Sequence, residues 1–156
     1  DIAIHETFLE PEQLVRLYGQ SPQQALGVGT QIHTSPQAFG KVMSAIKPRH
    51  AIGYHFFNDE NTRYGIYDGV RETYDGPLSL ATDNMIWNIT KGGIKERMTV
   101  SPDAAWSVAG PTKPPKPPAR GTVPDPITDY IKAGRWDVND AQGPMIKEFK
   151  KEHNMK

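Results

Sequence analysis

Apolar positions fall in short runs along this chain, and their spacing changes from one run to the next. Ile2, Ala3 and Ile4 open it as a mostly apolar stretch with two β-branched residues, which predicts a short buried strand of the kind a parallel sheet carries. Glu10 to Gly19 predicts a short helix, with Pro11 in its first turn and Gly19 as its stop. Ser21-Pro22 and Ser35-Pro36 repeat the start signal of a capping hydroxyl followed by proline. The first predicts a helix over 22–32, which Gly27 and Gly29 weaken. The second predicts one over 36–47, where Phe39, Val42, Met43 and Ile46 form one apolar face and Pro48 follows. A second buried strand is expected over 50–57, then a polar loop over 58–61 and a helix over 62–74 marked by Tyr64, Tyr67 and Val70. Strands are expected at 78–81, 85–90 and 94–100, the last two joined by a Lys91-Gly92-Gly93 turn. Helices interleaved with apolar strands predict an α/β (α+β layered) fold.

The composition then changes. Residues 111–126 hold seven of the 14 prolines, a stretch expected to be extended and polyproline-like, wrapping the domain or reaching a neighbouring subunit. Two short helices are expected beyond it, Ile127–Ala133 and Pro144–His153, anchored by Ile131, Trp136, Met145 and Phe149. This tail is expected to pack on a surface remote from His55, on its own domain or on a neighbour in a homo-oligomer. The 156 residues amount to one domain's length, and 18 Lys+Arg balance 18 Asp+Glu, so any contact with RNA needs a local basic patch. With no Cys, disulfides, thiolate zinc sites and a Cys nucleophile are excluded. No apolar run reaches the ~18 residues of a membrane span, so no membrane partner is expected. The chain starts at Asp1 on what reads as a strand, and is therefore expected to be a piece of something longer.

Five histidines are candidates for chemistry: 5, 33, 50, 55 and 153. His55 stands at the C-terminal end of an apolar strand, where α/β proteins place ligands, and a neutral imidazole there suits a metal. His33 precedes a helix start, and Glu6 ends the first strand, where a carboxylate can orient a histidine or accept a proton. As isolated residues, His55 reads more readily as a core histidine, His33 as a loop histidine and Glu6 as a strand-end charge in water. His5-Glu6 has no second His at helical spacing, which excludes a zincin site.

Taken in order, these positions resemble a family pattern. Asp1-Ile2-Ala3-Ile4-His5-Glu6-Thr7-Phe8 resembles the strand and His-Glu-Ala-Thr segment of tRNase Z enzymes, without the alanine. His33-Thr34-Ser35 is similar to the family's His-Ser-Thr element with the hydroxyls swapped. Tyr54-His55-Phe56-Phe57, followed by Thr62-Arg63-Tyr64, resembles its last metal-binding motif, with Asn58–Asn61 inserted. Lys47-Pro48-Arg49-His50-Ala51, Phe56-Phe57-Asn58-Asp59 and Met85-Ile86-Trp87-Asn88-Ile89-Thr90 add to the likeness. Residues 1–106 thus resemble the C-terminal half of a metallo-β-lactamase-fold hydrolase, closest to the tRNase-Z-like branch that includes β-lactam-hydrolysing enzymes.

That resemblance implies the second half of an αβ/βα sandwich over 1–106, a proline-rich arm over 107–126 and a helical extension over 127–156. It implies a binuclear zinc hydrolase, with His55 the only direct metal ligand in this chain and Glu6 and His33 a catalytic dyad. Arg63 and Tyr64 would hold the loop around His55. The family's HxHxDH motif, its next single His and its bridging Asp are missing, so the partner would be the N-terminal half of the same domain. The substrate would be RNA or a small cyclic amide, and the enzyme a soluble bacterial one, cytoplasmic or periplasmic. The alternative is a non-catalytic fragment or subunit that docks on a partner chain.

Overall fold

The computed structural model describes residues 1–99 and 128–156, and within them the protein is mixed α/β. The expected proline-rich arm lies outside the described residues. The chain divides into two units, one of Asp1–Met98 with Val138–Lys156 and one of Thr99–Asp137. In the second unit the described structure is a short helix, α5 (Asp129–Ala133), followed by the expected anchor Trp136, which is 51% exposed.

The first unit is built on three parallel strands, β1 (Ile2–Glu6), β2 (His50–Tyr54) and β3 (Leu78–Leu80), with β2 in the centre. Ile4 lies opposite Ile52, and Glu6 opposite Tyr54. Parallel strands need long crossovers. Here the first consists of α1 (Pro11–Tyr18), α2 (Pro22–Gly27), a π-helical turn (Val28–Ile32) and α3 (Pro36–Ile46). The second is α4 (Glu60–Arg71). The start signals act as the sequence predicts: Ser21 and Ser35 cap α2 and α3, accepting from the N–H groups of Gln24 and Ala38. Gly19 ends α1 at φ 63°, a conformation glycine takes without strain.

Phe39 and Met43 of α3 enter the core with Leu14, Ile66 and Val70, whereas Ile46, expected on the same face, is 53% exposed. Gly40 lets α3 and α4 approach closely, since a Cβ there would stand 2.6 Å from the Val70 carbonyl oxygen. The α4 face differs from expectation. Its buried side is Thr62, Ile66, Gly69 and Val70, and Tyr64 and Tyr67 point outward. The helical period is as expected, but the large tyrosine rings keep their polar tips in water while smaller residues meet α3.

A hairpin of β4 (Met85–Thr90) and β5 (Gly93–Met98) reaches the sheet through Glu96, which accepts from Ser79 of β3. On that face the β1 side stays open: Ile4 is 60% exposed, so β1 is half-buried rather than buried. α6 (Asn139–Glu152) begins earlier than expected and holds Pro144 in its interior. It packs on α3 through buried Phe149, through Lys41 with Asp140, and through a 3.0 Å bond from Ser35 Oγ to Gln142 Oε1. Met145 is half-buried. α6 thus sits on its own domain, one of the two placements expected, and bonds Ser35, two places after His33. No helix among the described residues is long and apolar enough to cross a membrane.

Candidate functional site

Parallel strands end on the same side, so the residues at and just after those ends share one rim. Glu6 is the last residue of β1, and β2 stops at Tyr54, one residue before His55. The strand is shorter than the expected 50–57 because His55 takes φ 68°, left-handed and costly for a side chain with a Cβ. His55 is exposed there, and its ring makes no hydrogen bond within the described residues.

His33 arrives by another route. The π-helical turn closes with the His33 N–H donating to the Val28 carbonyl at 3.0 Å. Gly29 allows that turn to lie over the start of α1, since a Cβ would stand 3.0 Å from Leu9 O and 3.2 Å from Pro11 Cδ. The Phe8 N–H then donates to the Thr34 carbonyl at 2.9 Å, fixing the 33–34 segment beside the end of β1.

These constraints bring Glu6, His33 and His55 together, one donor atom of each lying within 4.8 Å of the others. His33 Nδ1 and Glu6 Oε2 are 3.0 Å apart. The other carboxylate oxygen accepts from the Thr34 N–H at 2.7 Å and the Thr34 hydroxyl at 2.9 Å. Burial acts to raise the Glu6 pKa, but the His33 bond, the two Thr34 bonds and the His33 charge outweigh it and hold the carboxyl below its ordinary 4.5. Glu6 is therefore a fixed anion that orients one imidazole nitrogen and leaves His33 Nε2 for other work.

Phe8 stacks on the His33 ring with centroids 4.1 Å apart and planes at 22°, and the His33 and His55 rings lie 5.3 Å apart. Phe57 and Tyr18 continue an aromatic wall beside them. A cleft of about 440 Å³ adjoins His55, lined by Tyr54, Phe56, Asn58, Ala81, Thr82 and Asp83. Arg63 holds its rim, donating to Asn58 Oδ1 at 2.8 Å and to the Leu80 carbonyl at 3.3 Å. Tyr64 takes no part in this, being 73% exposed, so the expected Arg63-Tyr64 pair divides into a loop holder and a free ring.

Sequence reasoning missed Thr34 and Phe8. A hydroxyl directly after His33, and an aromatic two residues after Glu6 and so on the same strand side, were the available signals. The other histidines serve elsewhere: His5 donates to the Glu6 carbonyl, His50 pairs with Ser79 and His153 with Glu12. No protein-family model matches the chain, and no curated protein sequence does.

Proposed function

We propose that this chain forms the C-terminal half of a binuclear zinc-dependent hydrolase of the metallo-β-lactamase fold, acting on a phosphodiester or a cyclic amide. The observation that carries the reading is the Glu6–His33 hydrogen bond at a strand-end rim that also holds His55. The open sheet face at Ile4 supports it as well, because a half sandwich leaves such a face for the other half to cover.

The donor set fits zinc in part. The His55 ring is exposed and offers a nitrogen, whereas both Glu6 oxygens and His33 Nδ1 are already engaged. His55 would therefore hold the metal, with the remaining ligands coming from the other half, since a zinc site takes three or more protein ligands. Zinc, when bound, supplies a Lewis acid and a hydroxide at neutral pH. This chain's own residues do the proton work. Glu6 fixes the imidazole through Nδ1, and a His33 ring carrying a proton on both nitrogens gives up the Nε2 proton to the leaving oxygen or nitrogen or hydrogen-bonds the oxyanion. Phe8 keeps the ring from swinging away.

In the intact enzyme, His55→Ala is expected to lower bound zinc. His33→Ala is expected to leave zinc unchanged and to lower turnover of a chromogenic phosphodiester or β-lactam by ~10²–10⁴. Loss of zinc with His33→Ala at unchanged turnover per zinc would contradict the assignment. A second reading rests on the mutual proximity of the three donors: Glu6, His33 and His55 hold one ion by themselves. Zinc titration of this chain alone separates the two, because one equivalent bound tightly by the isolated chain favours the second reading.

A further inference from the structure

The outward face of α4 is one wall of a second cleft, of about 660 Å³, facing Leu78, Ser79 and Leu80 of β3 and Met85 and Glu96 of the hairpin. That volume lies within the ~300–1,000 Å³ range of small-molecule sites. Glu60, Tyr64 and Asp68 recur every four residues along α4, so Tyr64 stands between two carboxylates on one stripe. Its ring is 73% exposed, and within the described residues neither Glu60 nor Asp68 is in an ion pair. Tyr67 lies beside it and already carries a cation, the Arg71 guanidinium, 4.8 Å from its centroid.

The lining has three carboxylates, Glu60, Asp68 and Glu96, against one cation, Arg63. That cation is committed to Asn58 and the Leu80 carbonyl. Leu78, Leu80 and Met85 supply an apolar floor. Negative charge around an exposed aromatic face, over an apolar floor, is the chemistry that takes up a large, weakly hydrated cation.

We propose that this cleft is a binding site for a small organic cation of the quaternary ammonium or guanidinium class, with the charge over Tyr64 between Glu60 and Asp68. The site does not depend on the hydrolase reading, because none of the three strand-end residues lines it. The volume favours a free small molecule over a flat docking surface.

Calorimetric titration of the full chain with choline tests this against 3,3-dimethylbutanol, a neutral molecule of the same shape, and against acetate. Choline is expected to saturate, and the neutral analogue to bind at least ~tenfold more weakly, as loss of a cation–π contact implies. Tyr64→Leu, at a position too exposed to disturb the core, is expected to weaken choline by about tenfold, and Asp68→Asn by a few-fold. His55→Ala is expected to leave choline binding unchanged. No saturation below ~100 mM choline, where affinity would be under about 1.4 kcal/mol, would overturn the site. Equal binding of the neutral analogue, preference for acetate, or full affinity in Tyr64→Leu would overturn it too.

Discussion

Glu6 and Glu10 lie on the same crossing from β1 to α1, yet the protein treats their charges in opposite ways. Glu6 is met by three donors, from the His33 ring and the Thr34 N–H and hydroxyl, and stays ionised below the usual carboxylate range. Glu10 accepts from one side chain, Gln37 Nε2 at 2.6 Å, which also bonds Glu72, and it faces the Gln13 N–H in the capping box that opens α1. Burial raises the Glu10 pKa, the Gln37 bond only partly opposes it, and the charges of Glu72 and Asp68 push it further up. Two carboxylates on one segment thus differ because of what faces them. One anion is held ready at a rim, and the other is tolerated at a helix junction.

The two carboxylates separate most clearly when each charge is removed. Glu6→Ala leaves the Thr34 N–H and the His33 ring without their partner and is expected to cost ~2 kcal/mol, read from denaturant unfolding. Thr34→Val removes one of the three donors and is expected to cost ~0.5–1.5 kcal/mol. Glu10→Gln is expected to change sign: the amide oxygen still accepts from Gln37, the repulsion from Glu72 and Asp68 goes, and the melting temperature at pH 7 rises slightly.

The smallest effect is in the pH profile. A carboxyl whose folded pKa lies below 4.5 contributes stability above that value and loses it as pH falls through the folded pKa. One whose folded pKa lies above 4.5 does the reverse, losing stability as pH rises from 4.5 through its raised value. Glu6→Gln is therefore expected to flatten the acid side of a stability–pH curve, and Glu10→Gln to remove a loss that sets in as pH rises above 4.5. The same pH dependence in both variants would show that the two carboxylates are held alike.

Much of the rim was legible in the chain. Glu6 could be placed because the first apolar run stops there, and His33 because Ser35-Pro36 announces a helix, whereas the run through His55 continues to Phe57 and hid that β2 ends at Tyr54. What joins them was less legible. The π-helical turn that delivers His33 reads as ordinary helix, since Val28–Ile32 differs from α-helix only in hydrogen-bond register. Tyr64 and Tyr67 carry the right period for a buried face, and periodicity does not say which of two faces is inward. Pro144 reads as a helix start, yet α6 runs through it from Asn139, held by Phe149 and Gln142 against α3. In each case tertiary packing decided what local pattern left open.

In the proposed hydrolase Glu6 acts on chemistry through His33, and a double-mutant cycle in turnover measures that coupling. If the proposed hydrolase reading holds, Glu6→Gln and His33→Ala in the intact protein are each expected to lower kcat with zinc content unchanged. The double variant is expected to be no slower than His33→Ala alone, because residues acting as one unit are not additive. If the two losses multiply in the double variant, Glu6 and His33 work independently and the dyad is wrong.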